Sequence, residues 1–250
     1  MAIIIKTPEE IEIMRQGGKI LSQTLKKVCK MAQPGVSTLE LDQFAEEFIR
    51  SQGASPTFKG YHGFPNTLCT CLNEKVVHCI PSKNEILKEG DLFTVDCGVT
   101  YQGLCTDAAR SIPIGQISTE KQLLIETANK ALKTAISLIK PGLRLNKIGE
   151  TIEEIAEKAG FHIIRELTGH GVGKSLHEDP VILNHADNSP SPTLKSGMTL
   201  AIEPIFAIGT SKIITLSDHW TIVTEDRSCS VQAENTILVT ETSYEILTNQ

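Results

Sequence analysis

The run K-E-G-D-L-F-T-V-D at 88–96 and the run K-S-G-M-T-L-A-I-E at 195–203 follow one pattern. Each begins with Lys, reaches Gly two residues later, continues through strand-forming residues and ends on a carboxylate. The runs are 107 positions apart, and that offset places Asp96 over Glu203. The same offset carries Pro34-Gly35 onto Pro141-Gly142, and Gly53 onto Gly160.

Helical spacing surrounds these marks. Residues 8–30 carry apolar Ile11, Ile13, Met14, Ile20, Leu21, Leu25 and Val28, and Thr7-Pro8 is a helix start. After the Pro-Gly break, Leu39, Leu41, Phe44, Ala45, Phe48 and Ile49 give a second helix that stops near Gly53. The layout recurs as a helix over 119–140, a Pro-Gly break, and a helix from Asn146 to Ala159. Isolated Pro-Gly pairs recur by chance, but four matches in one register are an internal repeat. The reading is a single α/β (α+β) domain over 1–250, built from two similar helix-helix-strand halves at about 8–112 and 115–240. No Pro-, Gly- or Ser-rich linker separates them. Two such halves facing each other bring their strand carboxylates to a shared centre.

Composition narrows the function. The chain of 250 residues is 40% hydrophobic and 22% charged, an ordinary globular balance that needs no disulfide staples. A net charge of −6 argues against a nucleic-acid surface, as does the lack of a P-loop, a strand-borne G-x-G-x-x-G or a basic run. The seven cysteines (Cys29, Cys69, Cys71, Cys79, Cys97, Cys105 and Cys229) are odd in number and form no C-x-x-C pair. They read as reduced thiols of a cytoplasmic protein. Met1–Ile5 is too short an apolar run for a signal peptide, and nothing approaches the roughly 18 apolar residues of a membrane span. No heptad suggests a dimer, so a monomer is expected.

The carboxylates are the unusual feature. Leu92–Val99 and Leu104–Ile112 read as a hairpin. With Tyr101-Gln102 as the loop, Asp96 lies opposite Asp107. With Gln102-Gly103 as the loop, Asp96 lies opposite Ala109, and Asp107 stays on the same face. Directly opposed side chains stand about 5 Å apart, and two carboxylates there need a proton or a cation between them. Met198–Phe206 reads as a strand carrying Glu203, and Ser230–Thr240 as one carrying Glu234. Any one of these acids suggests a surface ion pair; four on apolar strands suggest a metal.

His170, in T-G-H-G-V-G, stands between the second helical pair and the Glu203 strand, where its ring can join the acids. Alone it would read as structural. Four carboxylates with one imidazole suit Mn, Fe or Co better than a structural zinc, and bridging carboxylates can hold two ions about 3.5–4 Å apart. His78, in V-V-H-C-I-P, and His177, in S-L-H-E-D-P, are also singled out, and the residues alone do not decide between a site role and a structural one. His62, His162, His185 and His219 read as structural or surface residues.

Asp96, Asp107, His170, Glu203 and Glu234, in this order and spacing, resemble the metal ligands of the type I methionine aminopeptidases. The surrounding strings match over essentially the whole chain: G-Y-H-G-F-P at 60–65, N-E-x-V-x-H at 73–78, V-D-x-G at 95–98, T-D-A-A-R at 106–110, G-H-G-V-G at 169–173, I-E-P at 202–204 and D-x-W-T at 218–221. The resemblance implies the pita-bread fold, two pseudo-symmetric halves around a dinuclear metal site. It implies removal of the N-terminal Met from nascent polypeptides whose second residue is small, near the ribosome and in the cytoplasm, with no membrane or nucleic-acid partner. It implies two divalent ions (Co, Mn or Fe). Asp107 and Glu234 would bridge them, Asp96 would hold one, and His170 and Glu203 the other. Glu203 would also be the general base that deprotonates the attacking water. His78 and His177 would contact the scissile peptide, and Tyr61, Phe64, Cys69 and Trp220 would grip the Met side chain.

Three positions depart from the family pattern. Cys79 replaces a usual Gly, Leu176 a frequent Phe, and Phe58 a smaller residue. Cys79, beside His78, is expected to confer sensitivity to thiol reagents. The short N-terminus resembles the bacterial-type form without a zinc-finger extension. Two other readings share the fold. An X-Pro aminopeptidase or prolidase usually has an extra N-terminal domain, whereas the repeat here begins near residue 8. A non-catalytic binding protein should lack one or more ligands, whereas all five are present.

Overall fold

The structure is a computed structural model that describes residues 3–249. Met1 and Ala2, part of the apolar run weighed as a leader, lie outside them. Among the described residues there are four α-helices: α1 (Pro8–Met31), α2 (Thr38–Ser51), α3 (Thr119–Ser137) and α4 (Asn146–Ala159). Capping boxes start the first two. Thr7 accepts from the Glu10 N–H and Ser37 from the Glu40 N–H, while each Glu reaches back to its cap. Gly160, at φ 79°, ends α4 in the left-handed conformation that Gly adopts without a Cβ clash.

The first half holds strands β1 (Ser55–Pro56), β2 (Leu68–Leu72), β3 (Lys75–Val77), β4 (Leu92–Tyr101) and β5 (Leu104–Pro113). The second holds β6 (His162–Ile163), β7 (Gly169–Gly171), β8 (Glu178–Ile182), β9 (Thr199–Ile202), β10 (Ile205–Ala207), β11 (Ile213–Thr215), β12 (Ile222–Thr224), β13 (Ser230–Gln232), β14 (Asn235–Val239) and β15 (Tyr244–Ile246). One sheet runs β1-β4-β2 with β5 on β4, a second β15-β14-β9-β7-β8, a third β13-β10-β6 and a fourth β11-β12-β3. Helices α1 and α2 cover the first sheet through Leu21, Leu25, Leu41 and Ile49, packed with Phe93, Val95 and Val99. Helices α3 and α4 bury Leu124, Leu132, Ile148 and Ile152 with Leu200, Phe206 and Ile237. No helix among the described residues is long and apolar enough to cross a membrane.

The 107-residue offset extends to individual hydrogen bonds. Gly35 N–H donates to Leu87 O, and Gly142 N–H to Leu194 O. Leu87 N–H donates to Val36 O, and Leu194 N–H to Leu143 O. The isolated bridges Ser37–Ile86 and Arg144–Thr193 keep the same register.

The structure decides between the two hairpin loops left open by the sequence, and one strand expectation needs correction. The hairpin turns at Gln102 (φ 46°) and Gly103 (φ 82°), so Asp96 pairs with Ala109 and Gly98 with Asp107. Two positive φ angles suit Gly and a polar residue, whereas the alternative loop would put bulky Tyr101 at one of them. Asp96 and Asp107 are therefore diagonal neighbours on one face. Met198–Phe206 and Ser230–Thr240 are each broken in two, at Glu203-Pro204 and at Ala233-Glu234. Pro204 has no N–H to donate to a ladder. At each break the chain passes from the β9/β14 sheet to the β10/β13 sheet, or back, so both glutamates sit where two sheets meet.

Candidate metal centre and active site

The five candidate ligands arrive from both halves. β4 carries Asp96, β5 Asp107 and β7 His170, while Glu203 and Glu234 occupy the two breaks. The halves are joined at this point. Glu234 N–H donates to Ala109 O at 3.1 Å, Asp107 N–H to Thr236 Oγ1 at 2.9 Å, and Thr236 Oγ1 to Asp107 O at 2.8 Å. The half-buried Arg110 guanidinium donates to Ala109 O, Glu234 O, Asn235 Oδ1 and Thr248 O. Asn184 Nδ2 donates to Glu203 O at 2.9 Å.

All five ligands are buried, none more than 9% exposed. One ligating atom each from Asp107, His170 and Glu234 lie within 4.8 Å of one another. His170 Nε2 stands 3.5 Å from Glu203 Oε1 and 3.9 Å from Asp107 Oδ2. Its Nδ1 is 2.8 Å from Gly171 O, a contact that assigns the proton to Nδ1 and leaves the Nε2 lone pair facing the acids.

Burial shapes the charge. Desolvation pushes the Asp96 carboxyl up to about 7, against the Asp107 hydrogen bond that lowers it. Desolvation, then the charges of Glu234 and Asp96, raise Asp107 well above its ordinary value. Desolvation first, then neighbouring carboxylates, do the same to Glu203 and Glu234. Burial, with His177 nearby, lowers His170 to about 4, so its imidazole is neutral as ligation requires.

These residues fit a divalent metal. Asp96 Oδ1, Asp107 Oδ1 and Glu234 Oε1 are buried without a hydrogen-bond partner. Buried acceptors without donors are costly, and a cation removes that cost together with the mutual repulsion. The donors are oxygen and imidazole, with no thiolate among them.

The centre forms the floor of a cavity of about 530 Å³, lined also by Tyr61, Phe64, Cys69, His78, His177 and Trp220. The Phe64 and Trp220 rings meet edge to face at 5.2 Å. Tyr61 OH lies 2.9 Å from His177 Nδ1, and the His177 and His170 rings stand perpendicular at 4.4 Å. His78 follows β3 at φ 58°, a left-handed conformation that costs a non-glycine residue about 1–3 kcal/mol and turns its ring toward Trp220. Both flanking imidazoles are solvent-accessible at the rim, yet the cavity wall desolvates them and lowers their pKa values.

Two of the departures meet here. Phe58 and Leu176 are buried in one cluster with Phe64 and Cys69. The expectation for Cys79 is corrected. It is fully buried, it donates to Val77 O, and burial followed by Cys71 beside it raises its thiol well above the ordinary value. Such a thiol is inert. Gln232 escaped the sequence reading. Its Nε2 stands 3.2 Å from Glu203 Oε2 and 3.3 Å from Glu234 Oε2. The two-residue spacing from Glu234 was the available signal.

A carboxylate-rich metal centre under an apolar cavity, with histidines at its rim, defines a metal-dependent hydrolase built on two facing halves. The model of metallopeptidase family M24 matches residues 12–241. The chain is 45% identical to a methionine aminopeptidase of Clostridium acetobutylicum, covering 98% of each chain. It is 44% identical to methionine aminopeptidase 1 of Bacillus subtilis, covering 98% of this chain and 99% of that one. The crystal structure of a methionine aminopeptidase from Thermotoga maritima superposes with a TM-score of 0.98 at 41% identity over 100% of both chains. The chain belongs to metallopeptidase family M24, with its pita-bread fold, and within it to the methionine aminopeptidases.

Proposed function

We propose that the chain hydrolyses the first peptide bond of polypeptides that begin with Met and continue with a small residue. The observation that carries this is the apolar, sulfur- and ring-lined cavity opening directly onto the carboxylate–histidine centre. Phe64, Tyr61 and Trp220 offer ring edges and faces to a thioether, and Cys69 completes the wall as a neutral thiol.

Asp96, Asp107, His170, Glu203 and Glu234 would hold two divalent ions. Bound there, the ions supply Lewis acidity toward water and the scissile carbonyl. Glu203, which lines the cavity beside His170, is the general base that accepts a proton from the attacking water. The Gln232 amide holds the Glu203 and Glu234 oxygens apart and oriented. His78 and His177 face the peptide unit from the rim and donate to its oxygen as charge develops. Tyr61 holds His177 at Nδ1, which turns Nε2 to the substrate.

The oxygen-rich donor set favours Mn, Fe or Co. The partners are the N-termini of nascent polypeptides, met near the ribosome. The enzyme acts in the cytoplasm as a monomer, with no nucleic-acid or membrane partner. The test is cleavage of Met-Ala-Ser against Ala-Met-Ser and Met-Pro controls, with and without chelator. Selective, metal-dependent release of Met is expected; release of Ala from Ala-Met-Ser at an equal rate would overturn the reading.

A further inference from the structure

A buried ion pair joins the N-terminal segment to the loop that ends in His177. Lys6 Nζ lies 2.6 Å from Glu178 Oε2, with the two side chains 1% and 4% exposed. Removing two charges from water is costly, and their attraction offsets that cost only when the remaining donors and acceptors are satisfied. Here Lys6 Nζ also donates to Ile4 O at 3.3 Å, and Glu178 Oε1 accepts the Ser175 N–H at 3.1 Å. Lys6 N–H donates to Gly197 O at 2.8 Å. The lysine is held at its backbone and at its tip.

The pair grips one particular loop. Residues 172–177 leave β7, which carries His170, and return into β8, where Glu178 pairs with Gly171. Leu176 in this loop is a cavity wall, and His177 is its last residue. The loop closes against the lysine stem at Gly173, where a Cβ would lie 2.2 Å from Lys6 Cε. From the first turn of α1, Glu10 reaches Lys174 at 2.7 Å. Two ion pairs from the N-terminal segment thus hold the loop near both ends.

We propose that Lys6 and Glu178 are positioning residues. Their ion pair sets the loop 172–177 and, through it, the place of His177 and Leu176 against the substrate's first residue. This rests on the aminopeptidase reading. An apolar pair of similar volume could supply the same stability. It would not orient the peptide before Glu178, because dispersion contacts have no preferred direction, whereas a carboxylate shared between an ammonium and a backbone N–H does.

The test compares metal-loaded full-length Lys6→Met, Glu178→Leu and the double variant. Each single change leaves one buried charge and lowers Tm. The double change removes both and recovers Tm. A misplacement near 1 Å costs about 10²-fold, so kcat on Met-Ala-Ser should fall at least about tenfold in the double variant while KM stays within about threefold. A crystal structure of the double variant should show the 2.9 Å contact between Tyr61 and His177 lost. Parental kcat, or an intact Tyr61–His177 contact, in a double variant of recovered Tm would overturn the proposal and leave the pair a stabilising role alone. A parent that fails to cleave Met-Ala-Ser would overturn the aminopeptidase reading instead, and the Tyr61–His177 contact would still report on the loop.

Discussion

The Gln232 side-chain amide donates to Glu203 Oε2 at 3.2 Å, and the same nitrogen stands 3.3 Å from Glu234 Oε2. One amide therefore spans the two glutamates that the second half sends into the centre. Carboxylates so close repel, and the amide hydrogens fix which oxygens remain for a metal. Partners that orient ligands in this way are typically worth about 10–100-fold in metal affinity. Gln232→Leu should weaken divalent metal binding by that factor, read by calorimetric titration of the chelated protein. Unchanged affinity would assign the amide to packing.

Glu203→Gln should lower kcat far more than it raises KM. The change removes the proton acceptor and one anionic donor, and loss of general-base catalysis alone is worth roughly 10²–10⁴-fold. The amide is nearly isosteric, so circular dichroism should match the parent. A variant within a few-fold of parental kcat would show that another group accepts the proton.

The buried carboxylates make the metal-free fold sensitive to pH. Desolvation raises Asp96 from 3.8 to about 7 and raises Asp107, Glu203 and Glu234 above their ordinary values. The folded state then holds protons that the unfolded chain releases. Their contribution to stability is complete below about pH 4 and is lost as pH rises through the folded-state values. A divalent ion needs the deprotonated carboxylates, so its stabilisation grows over the same range. The gap in Tm between metal-loaded and chelated protein should widen from pH 5 to pH 8. A gap independent of pH would mean that these acids do not hold the metal.

The sequence showed more of this site than of its supports. The two halves were legible because Pro34-Gly35 and Pro141-Gly142 stop helices by local chemistry, and local chemistry repeats with the sequence. The cluster of buried acids was legible because acids on apolar strands are expensive without a cation. The breaks at Glu203-Pro204 and Ala233-Glu234 were not, because the change of sheet is decided by which strands lie on either side, and strand-forming residues run on through both. The hairpin register depended on which two residues take positive φ. Lys6 with Glu178, and Arg110 with the Thr248 carbonyl, were hidden for the same reason: Lys6, Glu178 and Arg110 each read as an ordinary surface charge until the fold supplies a partner.

Cleavage should require a small residue after Met, and the argument is steric. On the proposed reading, the Met side chain fills the cavity walled by Phe58, Phe64, Cys69 and Leu176, with Tyr61 and Trp220 at its edge. The depth of that cavity fixes the first residue at its side-chain end. The second residue then lies beside His78 and His177, which flank the same opening. His177 cannot swing aside freely, because Tyr61 OH holds its Nδ1 at 2.9 Å and the His170 ring stands against it at 4.4 Å. Nor can His78 move without releasing the left-handed backbone at φ 58° that orients it. A bulky second side chain must therefore be accommodated by the substrate, which shifts the scissile carbonyl away from Glu203 and the imidazoles. A displacement near 1 Å costs about 10²-fold. In a Met-X-Ser series, kcat/KM for Ala should exceed that for Leu or Lys by about two orders of magnitude, a gap of roughly 2.7 kcal/mol in transition-state binding. A flat profile across X, or equal cleavage of peptides beginning with Leu, would identify a general aminopeptidase whose cavity selects neither residue.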